Sequence, residues 1–270
     1  MKSVILFRDQ DAEEECATAT THLPVVKYRS SVAPQSLVIG RYSVLPYYKE
    51  LEDELRLKGS ALINTYPQHK FIADVMEWGS VGGVLDGLTP RTWTEWGGLP
   101  EGQYVVKGRT NSRKHKWNTH MYAPTKAAIP VVAQRLYDDA FIGDQGLVVR
   151  EYFPLRKLGE GLNGLPITNE WRTFWLVEDG VPYLLTYGFY WASHPEVAQQ
   201  ARFTDHAYDI AEQAAYLVAE HATFFVLDLA QREDGRWIVV EVNDGQMSGL
   251  SLCSAEKLYS SLKRALASRE

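Results

Sequence analysis

The sequence predicts an α+β protein, and three features carry that prediction. Strand-like and helical segments alternate through residue 66, which implies a small α/β unit with a largely parallel sheet. Two Asp-Gly pairs, Asp179-Gly180 and Asp234-Gly235, each lie between apolar runs rich in β-branched and aromatic residues, the pattern of antiparallel hairpins. Between the hairpins, residues 206–221 have helical periodicity, with Ile210, Ala214, Leu217 and Val218 forming a face that can cover a sheet.

In chain order, VILFR is a short buried strand, followed by an acidic helix over 11–20, the strands PVVKYRS and LVIGRYS, a helix over 46–58, and ALINTY. Arg8 and Arg41 fall at or just past the carboxyl ends of their strands, where open α/β sheets bind ligands. They are grips for an anionic substrate or surface arginines; both readings stand. Phe71, Ile72, Val75 and Met76 predict one helix over 69–78, stopped by Gly79. A strand over 104–106 delivers Lys107 to a loop holding Arg109, Arg113, Lys114, His115 and Lys116. That loop admits three readings: a phosphate cover, a nucleic-acid patch interleaved with Trp117 and Tyr122, or a solvated basic loop.

A helix over 129–141 carries Val131, Val132, Leu136 and Tyr137 as its stripe, and GLVVREYFPL is a strand stopped by Pro154. KLGEGLNGLPITN is a polar, Gly-rich excursion. Arg172 shares a strand face with Phe174 and Leu176, so it calls for an anion, either a structural carboxylate or a ligand phosphate. Ser254 can cap a final helix carrying Leu258, Leu262 and Leu266.

The hairpin over 224–246 carries the sharpest chemical signal. Centring its turn on Asp234-Gly235 sets Asp228 opposite Glu241, and the period of two adds Asn243 to their face, along with Val226, Trp237 and Val239. Opposed carboxylates destabilise a sheet, so a cation belongs between them. Two carboxylates and an amide oxygen are hard ligands suited to Mg²⁺ bridging nucleotide phosphates.

Composition narrows the class. A chain of 270 residues fits one large domain or two small ones, and 45% hydrophobic with 23% charged residues is the balance of a soluble globular protein. A net charge of −6 argues against nucleic acid as a general partner. Cys16 and Cys253 lack metal-ligand spacing, and no apolar run reaches the length of a signal core or a membrane span. A reduced, cytoplasmic setting without a membrane partner is the expectation.

The order of these features resembles the ATP-grasp superfamily, most closely its carboxylate-amine ligases related to glutathione synthetase and D-alanine-D-alanine ligase, over roughly residues 68 to 250. The resemblance implies two α+β lobes clamping ATP, a smaller one over 68–150 with the phosphate loop and a larger one over 151–270 with the metal hairpin. A pre-ATP-grasp α/β domain over 1–67 precedes them. Lys70 in PQHKF and Lys107 in VVKGR resemble the phosphate-contacting lysines, joined by Arg109, Lys114 and Lys116 of the loop. REYF resembles the hinge, with the Glu151 carbonyl and Phe153 amide on the adenine edge and Tyr152 between them. Glu160 and Glu170 both stand as the acid for the ribose.

By the same resemblance, Arg172 is the catalytic arginine that steadies the transferred phosphoryl group, and Asp228, Glu241 and Asn243 hold Mg²⁺. Arg8 and Arg41, from their place at strand ends, and Asp244, in the segment after Asn243, are the candidate substrate contacts. The loop after Lys107 departs from the family in being basic, and EVNDGQ lacks the proline that often follows the asparagine. The implied reaction joins a small-molecule or peptide carboxylate to an amine through an acyl phosphate, with release of ADP and phosphate. Relatives are often dimers, so a homodimer fits. Two rivals stand: a kinase-like phosphotransferase without amine ligation, and a nucleic-acid-binding module using loop 108–118.

Overall fold

Strands from the first quarter of the chain pair in parallel. β1 (Lys2–Phe7), β2 (Val25–Val26), β3 (Ser36–Arg41) and β4 (Ala61–Leu62) lie in the order β2-β1-β3-β4, with α1 (Glu13–His22) and α2 (Tyr48–Leu57) between them in sequence. Alternation along β1 and β3 divides their side chains between two cores. Val4, Leu6 and Val38 pack under Tyr48, Leu51 and Leu55 of α2, whereas Ile5, Phe7 and Ile39 join a cluster containing Phe174 and Phe224 from the far end of the chain. This computed structural model describes residues 1–7, 13–41, 47–140 and 142–267, so Arg8 lies outside the described residues.

The helix expected over 69–78 is two helices, α3 (Tyr66–Ala73) and α4 (Val75–Gly79). Thr65 and Gln68 form a capping box that starts α3 early. Asp74 leaves helical geometry at φ −96°, ψ 110°, and its carboxylate caps α4 by accepting from the Met76 amide at 3.0 Å.

A second sheet contains β5 (Thr92–Trp93), β6 (Tyr104–Gly108), β7 (Tyr122–Ala123) and β8 (Leu147–Glu151), antiparallel in the order β5-β8-β6-β7. Helix α5 (Ile129–Tyr137) covers it with Ile129, Val132, Ala133 and Leu136. That i, i+3, i+4, i+7 arc leaves Val131 and Tyr137 exposed, contrary to the expected stripe. The polar excursion folds into a ribbon of β9 (Lys157–Glu160) and β10 (Pro166–Thr168).

The third sheet, β11 (Glu170–Glu178), β12 (Val181–Phe189), β13 (Phe224–Gln231) and β14 (Trp237–Asp244), runs antiparallel in the order β12-β11-β13-β14. On one face lies α6 (Asp205–Ala219), capped by Thr204 and buried through Ala207, Ala211, Ala214, Ala215 and Val218. This small-residue stripe turns Leu217 to solvent. On the other face, α7 (Ala255–Leu266), capped by Ser254, buries Leu258, Tyr259, Leu262 and Leu266. Among the described residues no helix is long and apolar enough to cross a membrane.

The last hairpin pairs Asp228 with Glu241 and Val226 with Asn243, as expected from its turn. Nearer the turn, Leu229 pairs with Val239 and Gln231 with Trp237, so Val240 is the extra residue of a bulge. A bulge reverses facing. Trp237 and Val239 therefore join Leu227 and Leu229 under α6, and not the face of Asp228 and Glu241.

Candidate active site

Two cavities meet between the second and third sheets. The first, about 940 Å³, is walled by Trp117, Met121, Leu165, Trp191 and Ile238, with the chain leaving β8 at Glu151, Tyr152 and Phe153. The second, about 1240 Å³, is polar and lined by His69, Arg109, Arg172, Tyr190, Asn243 and Asp244 among others. Lys107, Ser112, Lys114 and Glu241 line both and form the seam.

At that seam, β6 delivers Lys107 buried, with Nζ 3.2 Å from Glu241 Oε1. Lys114 starts a 3-10 turn (Lys114–Lys116); its Nζ donates to the Tyr190 hydroxyl at 2.9 Å and stands 3.6 Å from Glu241 Oε2 and 3.8 Å from Glu170 Oε1. Asp228 is fully buried, and Arg172 holds both its oxygens through Nε and Nη2 at 2.8 Å each. Arg172 also donates to the Gly249 carbonyl at 2.8 Å and lies over the Tyr190 ring. Thus the anion that Arg172 calls for is a structural carboxylate, with its guanidinium still lining the polar cavity.

Charge at the seam is unevenly balanced. Burial opposes ionisation of Glu241, but Lys114, Lys107 and Arg172 outweigh it and hold the carboxyl well below its usual range. Burial also works against the Lys114 ammonium, yet Glu241 and Glu170 keep it charged well above its ordinary value. For Lys107 burial prevails and lowers the pKa, against the pull of Glu241. Burial pushes Glu170 up to about 7, and its Oε1 has no hydrogen bond. Arg150 on β8 adds a buried cation, bonded to Val240 O and Thr89 Oγ1 at 2.8 Å and to Thr92 Oγ1 at 3.2 Å. Four cations, Lys107, Lys114, Arg150 and Arg172, thus stand among the three acids Asp228, Glu241 and Glu170, a positive surplus that suits a polyphosphate.

Several expected residues lie outside the cavities or are engaged by partners within the chain. Lys70 is exposed and lines neither cavity, whereas its neighbour His69 shares the buried face of α3 with Ile72 and lines the polar one. Arg41 is buried against Glu15 at 2.8 Å and donates to Gly245 O and Ser248 O, so its charge is engaged within the fold. Asp244 is likewise engaged, by Asn64 and the Gln246 amide at 2.9 Å and by His69 at 3.0 Å. In the basic loop, Arg109 pairs with Asp74 and Arg113 with Asp139, while Lys116 is exposed outside both cavities. Trp117 stacks on Tyr122 as part of a cavity wall. Glu160 is exposed and paired with Lys157; of the two acids considered for the ribose, Glu170 is the one in the cleft.

Sequence reasoning missed His69, Tyr190 and Arg150. The Thr65-x-x-Gln68 capping signature was available to set the phase of α3, and Arg150, like Arg172, is a charge inside an apolar strand run. Tyr190 carried no signal.

The residues fit ATP. At the hinge, the Tyr152 amide donates to Gln103 O, whereas no hydrogen bond within the described residues engages the Phe153 amide beside the apolar cavity. They also fit a hard cation: Asn243 donates Nδ2 to Asp228 Oδ2 at 3.1 Å, which leaves its amide oxygen for a metal, and Glu241 faces both cavities. Among the described residues no group of three or more His, Cys, Asp or Glu side chains is gathered around a metal position.

This architecture is that of the ATP-grasp enzymes. The chain is similar in fold to a RimK domain ATP-grasp protein from Sphaerobacter thermophilus (16% identity, TM-score 0.56, covering 98% of this chain and 99% of that one). It is also similar to the ATP-grasp ligase PsnB complexed with minimal precursor (12%, 0.56, 100% and 99%) and to D-alanyl-alanine synthetase A from Vibrio cholerae (12%, 0.51, 98% and 98%). Residues 94–262 match the model of the ATP-grasp domain, R2K clade family 3, and the chain belongs to that family. Among curated proteins none matches.

Proposed function

We propose that the protein is an ATP-dependent carboxylate-amine ligase that forms an amide or peptide bond through an acyl phosphate. The observation that carries this reading is the seam: one cluster of Lys107, Lys114 and Glu241 lines both an apolar cavity suited to a purine and a polar cavity suited to charged substrates. In this reading the adenine lies against Tyr152 and Phe153, hydrogen-bonded by the Glu151 carbonyl and the Phe153 amide. Glu170, whose Oε1 accepts no hydrogen bond, faces the ribose.

Lys107 and Lys114 hold the phosphates as a substrate carboxylate attacks the γ-phosphorus in line. Arg172, kept rigid by Asp228, stabilises the transferred phosphoryl group and then the acyl phosphate. Asp228, Glu241 and Asn243 would hold Mg²⁺, which supplies charge neutralisation across the phosphates. The loop, anchored through Arg109 and Arg113, keeps water from the acyl phosphate. An amine then displaces phosphate. Peptide as well as amino-acid substrates belong in the screen, since a solved neighbour is a ligase bound to a peptide precursor.

The test is ADP release with ATP, Mg²⁺ and panels of amino acids and short peptides, with and without hydroxylamine. A ligase yields a hydroxamate. ADP release with no hydroxamate from any carboxylate would instead support a phosphotransferase, and salt-sensitive nucleic-acid binding without turnover would support a binding module.

A further inference from the structure

His69 and Asp244 form a buried pair on the wall of the polar cavity, and the roles proposed above leave it unused. His69 Nδ1 lies 3.0 Å from Asp244 Oδ2. The other carboxylate oxygen accepts from Asn64 Nδ2 and from the Gln246 amide, both at 2.9 Å. Tyr48 stacks on the imidazole at 4.4 Å between centroids, and Gln246 Nε2 donates to the Tyr48 hydroxyl at 2.6 Å. Ring and carboxylate are therefore both fixed. With an anion at Nδ1, the neutral imidazole keeps its proton there and presents Nε2 as a bare acceptor. Among the described residues no hydrogen bond engages Nε2, and His69 lines the same cavity as Lys107, Arg172 and Asn243.

We infer that His69, oriented by Asp244, is the base that activates the amine in the second half of the reaction. This rests on the ligase reading. An amine reaches a neutral solution mainly as an ammonium, which has no lone pair for attack. The oxygens of Glu241 and Asp228 are engaged by Lys107, Lys114 and Arg172, whereas Nε2 of His69 is left open to the cavity for a proton. His115, the other imidazole lining this cavity, sits exposed on the loop. In the step inferred, Nε2 takes one proton from the ammonium. The freed lone pair forms the C–N bond as the acyl C–O bond breaks, and phosphate leaves with that electron pair and takes up the second proton. The imidazolium then returns its proton to solvent.

The test compares wild type with His69→Gln, using ATP, Mg²⁺ and a pool of the protein amino acids, with either the pool itself or hydroxylamine as nucleophile. Hydroxylamine is already unprotonated at neutral pH and needs no base. The ratio of dipeptide to hydroxamate is expected to fall on the order of 100-fold in the variant. An unchanged ratio overturns the base. Absence of ADP release by the wild type with either nucleophile, on the amino acids and on the panel of short peptides, overturns the ligase reading and the base with it. Independently of any variant, nitrogen NMR of the wild-type histidines is expected to find His69 unprotonated at Nε2, and a neutral ring with its proton on Nε2 overturns the inference.

Discussion

Asp228 faces Glu241 across the β13–β14 ladder, and each carboxylate has a separate cation: Arg172 takes both oxygens of Asp228, while Lys107 and Lys114 share Glu241. The repulsion expected of opposed acids is thus offset from within the chain, and a bound Mg²⁺ would have to share these acids with protein cations. Glu241→Gln is expected to lower Mg²⁺-dependent ADP release by on the order of 100-fold. Turnover at the wild-type rate in that variant would remove Glu241 from the chemistry.

Lys107 belongs to both cavities, so its loss is expected to be felt in nucleotide binding itself. Lys107→Ala should weaken ATP about tenfold or more, or about 1.4 kcal/mol by titration calorimetry. An unchanged dissociation constant would count against the clamp.

Glu170 gives stability a particular pH dependence. Burial raises its carboxyl from an ordinary 4.5 to about 7, with Lys114 opposing and Asp228 and Glu241 adding to the rise. Between these values the folded chain keeps a proton that the unfolded chain releases, so this contribution is complete below 4.5 and is lost as pH rises through 7. The loss is expected to be ~3 kcal/mol, and Glu170→Gln should abolish it. Denaturant midpoints with the same slope in both proteins would refute the assignment.

Gly188 pairs with Arg172 on the neighbouring strand, and a Cβ there would overlap the backbone of Leu252 and Cys253. That close approach lets the 249–253 turn cover Arg172 and give it the Gly249 carbonyl. Gly188→Ala is expected to destabilise the fold by about 2 kcal/mol, read from thermal or denaturant unfolding. Full stability would mean that the turn moves aside without cost.

Arg41 separates a folding role from a substrate role. Its removal leaves Glu15 buried without its ion pair, which is expected to cost about 3–5 kcal/mol in Arg41→Ala. A stable variant with a raised Michaelis constant would restore Arg41 to the substrate.

Much of this site was legible because short-range rules govern it. The Asp234-Gly235 turn and strand alternation placed Asp228 opposite Glu241, and a lone arginine among apolar strand residues marked Arg172. The bulge at Val240 was not legible, since the Val240 carbonyl is taken by Arg150 from another sheet and the Val239 amide by the Leu88 carbonyl. Lys70 was taken from its resemblance to a phosphate-contacting lysine, but it lies one residue, about 100° of helix, from His69, the side chain that faces the cavity. The β9–β10 ribbon lacks apolar alternation, so nothing local distinguished it from a loop. Tyr190 acquires its place only when β12 brings it beside Arg172 and Lys114.

Ile5, Phe7 and Ile39 from the first sheet and Ile63 just after it share one core with Phe174, Leu176, Phe224 and Val226 of the third. The stretch that matches the family model, 94–262, excludes those four residues and His69 as well. The matched segment is therefore smaller than the core that the two sheets build together. Cleavage between the two parts would leave fragments that stay associated through a common interior, and the matched segment alone would expose two phenylalanines that the intact chain keeps dry.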